Sequence, residues 1–482
     1  MSISHALSNA LTGLTAASRR AEVVSSNLAN VMTEGYGRRT LELSAHQLGG
    51  TGAGVRIDGV QRIVDRGILA DRRLADAGLA GHRDMTRMLG RLEAIIGTSG
   101  SGTSLADRIA GLEQALVSAS SDPASDIRLG EVHRRLTDVA SALNDSADGV
   151  QALRQEADAS IAAQVETLNT SLAQVQQLNA DISRAVIAGD DSSALMDQRQ
   201  RVVDRIAEIV PTREMARPNG QIALFTPTGG TLIDGPAPEF GFQPVNTITA
   251  DMSMASGGVF GLTLRGDPVD PVNGIGKFDG GSLGAAFAMR DRTLVEVQTN
   301  LDAVARDLVE RFQDSGVDPT LAPGGAGLFT DAGAGFDPLD TPGLAGRIAV
   351  NAAIDPASGG ELSRIRDGLG AATPGLAGDS AQINRLIDAL SDMRPTHLGG
   401  SPDGAAGHAG RLVAGLGITR VTAEDQLAFA QARQETIKQA ELAGGVDSDT
   451  ELQNLLLIEQ AFAANARLIQ TVDTLMQQLL EI

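Results

Sequence analysis

Apolar and small residues recur near the N-terminus at Leu7, Ala10, Leu14, Ala17, Ala21, Val24, Leu28 and Val31, in alternating steps of three and four. A heptad stripe of this kind predicts a helix whose apolar edge seeks a partner, as in a coiled coil. Ile3 extends the stripe backward, no proline interrupts it, and Gly13 is its one weak point. The C-terminal segment repeats the pattern at Leu455, Ile458, Phe462, Asn465, Ile469, Val472, Met476 and Leu479, after Gly444 and Gly445. Ser448 with Glu451 three residues on reads as a capping box that opens this helix. Terminal segments fray unless docked. Two such helices can pair with each other and still leave apolar edges, whose expected use is contact with other subunits.

A third stripe runs through Ile161, Val165, Leu168, Leu172, Val175, Asn179, Ile182 and Val186, after a patterned stretch over 132–153, and breaks at Gly189-Asp190-Asp191. A further helix is predicted over 193–210, stopping at Pro211. From there to about residue 281 Gly and Pro are frequent, and the runs 221–225 and 259–264 read as strands bounded by turns. Helix returns over 282–312. A Gly/Pro-rich stretch over 316–356 carries a strand at 347–350, and helices fill most of 379–482 with a break near 395–410. The fold class expected is α+β and multidomain, with long coiled-coil helices from both chain termini and a β-rich insertion domain. The division expected is a terminal coiled-coil inner domain (1–32 and 446–482), a helical middle domain (33–210, 281–316 and 361–445) and a β-rich outer insertion (211–280 and 317–360).

Composition narrows the function classes. Of the residues 42% are hydrophobic but only 2% aromatic, with one Tyr and no Trp, so Ala, Val, Leu and Ile must fill the cores. That suits closely packed helices better than ligand pockets, which recruit aromatics. The net charge of −21 repels phosphate backbones and anionic lipid surfaces, so neither nucleic acid nor membrane is an expected partner. Cysteine is absent, which excludes disulfides and thiolate metal sites. The N-terminus has no basic n-region or apolar h-region, so a cleaved secretory signal is not expected.

Catalytic motifs are weak. Gly280-Gly281-Ser282-Leu283-Gly284 matches G-x-S-x-G, but no clear strand precedes it, and Ser282 reads more simply as the N-cap of the next helix. The histidines, among them His397 and His408, show no H-E-x-x-H spacing. The acidic run Asp447-Ser448-Asp449-Thr450-Glu451 lacks the glycine and spacing of a calcium loop and suits a helix N-terminus. No catalytic, cofactor-binding or metal-ligating residues are expected.

One segment carries a family likeness. Asn27, Ala29, Asn30, Thr33, Gly35 and Tyr36 follow the N-terminal signature of flagellar rod, hook and hook-associated axial proteins, while Ser26, Met32 and Glu34 depart from it. The stretch 195–204, with Asp197, Gln198 and Arg199, resembles a segment of the hook-associated protein 1 family, as do 281–284 with Arg290 and Asp291. At the C-terminus, residues 445–447, Glu451, Asn454, 460–462, 464–466 with Asn465, and 469–471 resemble the axial family's closing signature, with Phe462 in place of the common Tyr. The resemblance implies a structural component of the bacterial flagellum, an adaptor at the hook–filament junction. It implies a homo-oligomeric ring or tube, with the hook protein, the second hook-associated protein and an export chaperone at the C-terminal helix as partners. Its place would be extracellular, after export without a cleaved signal. The assembly seam would be Leu7, Leu14, Val24, Leu28, Leu455, Ile458, Phe462, Ile469, Val472, Met476 and Leu479. A flagellar hook or rod protein is the alternative, and a serine hydrolase using Ser282 a remote one.

Overall fold

Each of the three heptad stripes is helical in the computed structural model, which describes residues 3–48, 51–98, 100–395 and 401–480. The first stripe is α1 (Ile3–Ala29), followed by strands β1 (Arg38–Leu48) and β2 (Thr51–Ile63) and by helices α2 (Arg66–Ile96), α3 (Leu105–Ser121), α4 (Asp126–Ala188) and α5 (Ser193–Ile209). Short strands then follow: β3 (Arg213–Ala216), β4 (Ile222–Phe225), β5 (Thr231–Ile233), β6 (Phe240–Gly241), β7 (Thr263–Leu264) and β8 (Asp267–Pro268). Helices α6 (Gly281–Ala288) and α7 (Leu294–Gln313) are joined through a π-helical turn at Met289–Thr293. Strands β9 (Phe329–Asp331) and β10 (Ile348–Val350) precede α8 (Arg364–Asp367), α9 (Ala381–Ser391), α10 (Ala405–Ala443) and α11 (Ser448–Leu480). All strand pairs are antiparallel, in the groupings β1-β2, β3-β4-β5, β6-β7-β8 and β9-β10.

The patterned stretch at 132–153 and the third stripe are one helix. α4 runs unbroken for 63 residues, about 95 Å at 1.5 Å per residue. Ser125 caps its start by accepting from the Arg128 amide, and Gly189 ends it in the left-handed conformation. The first half of α4 buries Leu129, Val132, Leu136, Val139 and Leu143 in a core shared with α2, α3, α7, α9 and the start of α10. The second half buries Ile161, Val165, Leu168, Leu172 and Val175 against α5, α6 and the small sheets. Two polar residues on this helix serve strand edges. Asn179 donates to the Ile222 carbonyl (2.9 Å) and accepts from its amide, and Asn169 does the same for Phe240 at 2.7 and 2.9 Å. An Asn inside an apolar stripe is thereby satisfied, as burial requires.

Several local expectations differ from the structure. Residues 38–63 form a two-stranded ribbon inside the 33–210 stretch expected to be helical. Its charged, partly exposed strands lack the clean alternation that announces a half-buried sheet. The strand read at 259–264 is paired only over Thr263–Leu264, because the Val259 and Leu262 side chains enter the core from irregular backbone. Gly280, not Ser282, precedes the first residue of α6, and the Ser282 hydroxyl donates to Gln164 Oε1 at 2.7 Å. Glu451 does not close a capping box on Ser448. Asp447 caps α11 instead, accepting from the Asp449 amide at 3.0 Å and the Thr450 hydroxyl at 2.8 Å. His397 lies outside the described residues.

Candidate assembly surface and its anchoring joint

The two terminal helices pack antiparallel, with Asn27 beside Glu451 at one end and Gly13 beside Asn465 further along. Their heptad stripes do not share one fate. Ala10, Ala17 and Val24 on α1 are buried, as are Ile458 and Val472 on α11, and Ala17, Val24 and Ile458 form a small core of their own. The other register stays partly open. Leu14, Leu28 and Ile469 are half-buried, while Leu7, Leu455, Phe462 and Met476 are exposed, with Phe462 at 43%. Leu479 belongs to α11, but its side chain lies outside the described residues. Leu456 at 59% and Leu457 at 63% are exposed on other faces of α11, and the heptad reading did not single them out because they fall between its steps. Full burial of one such leucine contributes roughly 1.5–3 kcal/mol.

Gly13 marks close approach of the helices rather than weakness. A Cβ built there would stand 2.9 Å from Asn465 Oδ1 and 3.0 Å from Nδ2, so the helices touch where glycine meets Asn465. Asn465, half-buried at the contact, donates to the Ala461 carbonyl of its own helix at 3.0 Å.

At the other end of the pair the motif residues converge. Asn27, buried, accepts through Oδ1 from the Arg39 amide (3.0 Å) and the Tyr36 hydroxyl (2.9 Å). Its Nδ2 donates to the Arg39 carbonyl (2.9 Å) and to Glu451 Oε1 (3.2 Å). Glu451, 2% exposed, also accepts from Arg38 Nε at 2.9 Å, so one carboxylate ties α11 to both α1 and β1. Asn30 donates to the Ser26 carbonyl and accepts from the Thr33 hydroxyl, which turns the chain out of the helix. Gly35 then takes a left-handed backbone (φ 77), where a side chain would strain the turn and strike Arg201. Tyr36 lies under the Arg39 guanidinium, 4.8 Å from its centroid.

Asp197 completes the joint from α5. Arg39 and Arg62 stand directly opposite each other across the β1–β2 ladder, a like-charge pair that destabilises a ribbon on its own. Asp197 answers both, accepting from Arg39 Nη2 at 2.8 Å and Arg62 Nε at 2.7 Å, and takes the Gly37 amide at 3.0 Å. The neighbours of Asp197 point elsewhere. Gln198 is exposed at a surface groove, and Arg199 is buried against Asn179 and the Gly220 carbonyl. Sequence reasoning found Asn27, Tyr36 and Asp197 but missed Arg38, Arg39, Arg62 and the role of Glu451. Two arginines in register across a strand pair were a signal, visible only once the ribbon's pairing is known.

No helix among the described residues is long and apolar enough to cross a membrane, and no group of three His, Asp or Glu there is placed to hold a metal.

Three family models match the chain: flagellar hook-associated protein FlgK helical domain over residues 89–326, flagellar basal body rod FlgEFG protein C-terminal over 443–482, and flagella basal body rod protein over 7–36. No curated protein matches it. A solved structure of the flagellar hook junction protein FlgK from Burkholderia pseudomallei is 20% identical, with a TM-score of 0.43, and the match covers 54% of this chain and 46% of that one. The chain thus spans under half the length of that relative. The rod-type models fall on the two paired terminal helices and the hook-associated model on the long-helix block between them, just under half of the sequence, so along these segments the chain is similar to flagellar hook-associated proteins of the FlgK family.

Proposed function

We propose that this chain is a structural component of the bacterial flagellum that acts at the hook–filament junction and assembles through its paired terminal helices. The observation that carries the reading is the half-open heptad register on α1 and α11, with Leu7, Leu455, Phe462 and Met476 exposed, and with Leu456 and Leu457 exposed on the neighbouring faces of α11. Apolar helix faces of this kind mark interaction surfaces. Within this reading the seam is Leu7, Leu14, Val24, Leu28, Leu455, Ile458, Phe462, Ile469, Val472, Met476 and Leu479. Val24, Ile458 and Val472 hold the pair together, and the open positions meet neighbouring subunits. The motif residues Asn27, Asn30, Thr33, Gly35, Tyr36 and Asp197 fix the angle at which the pair leaves the rest of the molecule, Arg199 and Asn465 pack helices, and Gln198 faces outward.

The proposed division of labour is a terminal inner domain (1–32 and 446–482), a middle domain built on α4, and the small sheets on the outside. The expected partners are further copies of this chain, the hook protein, the second hook-associated protein and an export chaperone at α11, with extracellular location after export. A rod or hook protein is the competing reading. The match of the helical-domain model to 89–326 favours the hook-associated one. Enzymatic use of Ser282 has no support, since its hydroxyl is engaged to an amide oxygen.

The test replaces Phe462 or Leu456 by Asp and asks whether the protein reaches the sheared extracellular flagellar fraction. Loss of incorporation with unchanged circular dichroism and thermal unfolding supports the reading. Normal incorporation and motility in both variants would overturn it.

A further inference from the structure

A cleft of about 260 Å³ opens where the end of β2, the first turns of α2, the face of α5 and the β3–β4 turn meet. In a chain of net charge −21 its wall is locally reversed in sign. Arg62, Arg66, Arg73, Arg199 and Arg217 line it, against one carboxylate, Glu214. Most of this charge is answered. Arg62 reaches Asp197, Arg73 reaches Asp204 (2.7 Å) and Glu214 (2.8 Å), and Arg217 forms a two-pronged pair with Asp234 at 3.0 and 2.8 Å. Asp197 and Asp204 are themselves shared with Arg39 and Arg72.

One guanidinium stays without a counter-charge, and a second keeps one donor free. Arg199 is 7% exposed, yet its guanidinium donates only to neutral acceptors, Asn179 Oδ1 and the Gly220 carbonyl, both at 2.8 Å. Arg73 is 2% exposed, and its Nη2 is buried with no hydrogen-bond partner among the described residues. A buried guanidinium without a counter-charge is costly. The electrostatics agree: burial, with Glu214 opposing and Arg62, Arg73 and Arg66 adding repulsion, pulls the Arg199 guanidinium down to about 10. The N-terminus of α2 also begins at this cleft, although Asp65 already takes the Gly67 and Ile68 amides there.

We propose that this cleft binds a small oxyanion, with Arg199 and Arg73 as its buried donors and Arg66 at its rim. The volume lies below the usual range of pockets for drug-sized ligands, about 300–1,000 Å³, so the ligand class is an inorganic phosphate or a short carboxylate rather than a nucleotide. Guanidinium forks suit both chemistries. A bound anion would join β2, α2 and α5 at one point, immediately behind the Asp197 joint.

The test uses the full chain in chloride buffer at fixed ionic strength, with chloride replaced stepwise by phosphate, sulfate or succinate. Calorimetry and thermal unfolding are the readouts. The expected result is saturable binding of one equivalent, with a melting temperature that climbs as the oxyanion concentration rises. Preference for phosphate and sulfate assigns a tetrahedral ligand, and equal or better response to succinate assigns a carboxylate. Arg199→Met and the exposed-site Arg66→Ser should each weaken binding by about ten-fold or more, as loss of a charge-assisted hydrogen bond does. Arg66→Ser should leave the melting temperature in chloride unchanged, so it serves even if Arg199→Met folds poorly. No response beyond chloride, or an equal response in Arg66→Ser and the parent protein, overturns the proposal.

Discussion

Asp197 shows how much one side chain can decide. Its two oxygens separate Arg39 and Arg62, which the ribbon's register sets face to face. Asp197→Ala leaves both cations partly buried and unanswered, and should cost about 3 kcal/mol; a lower midpoint in urea unfolding is the measurement. Tyr36→Phe removes only the hydroxyl that donates to Asn27, and should cost about 1 kcal/mol in the same assay. Sequence reading reached these residues through a family signature, so it could name them without knowing what they touch. Glu451 was legible as a helix-opening acid but not as the tie between α11, α1 and β1, because that tie joins residues more than four hundred positions apart.

Among the elements, the helices were the most legible, because a period near 3.6 sustained over many turns is hard to mistake. The small strands were not: β6, β7 and β8 span two residues each, too short to carry a pattern of their own, and of the three β6 packs on α4. The α1–α11 contact was half legible. Its stripes stood out, yet Gly13 looked like a defect when it is where α1 makes room for the Asn465 side chain. Gly13→Val should force Asn465 aside and splay the pair, with faster amide exchange along both helices, and adding Asn465→Ala should restore protection. The start of α11 is pH-dependent. The bond from the Thr450 hydroxyl, then the Asp449 amide, holds the Asp447 carboxyl below its ordinary value. A lowered folded-state value means the cap is fully in place above the ordinary Asp range and is lost as pH falls through the lower one. Protection of the amides at residues 449–451, taken relative to their intrinsic exchange rate at each pH, should therefore fall on acidification, and Asp447→Ala should show low protection at every pH.

For the molecule as a whole, the two large cores contain, among the described residues, no side chain from α1 or α11. Removing residues 1–30 or 447–482 should therefore leave a cooperatively folded body, seen as one unfolding transition, that no longer enters the flagellar fraction. That separation was foreseeable from the stripes at the two ends. The way α4 threads both cores was not, since a break between its halves was as consistent with the pattern as continuity. The same separation has a mechanical side. Force applied to the terminal pair reaches the body through four covalent residues after α10, through the ribbon, and through the carboxylates of Glu451 and Asp197. Under shear those two ion clusters would yield before either core is disturbed, so the molecule has a built-in fuse where the tube wall would meet everything outside it.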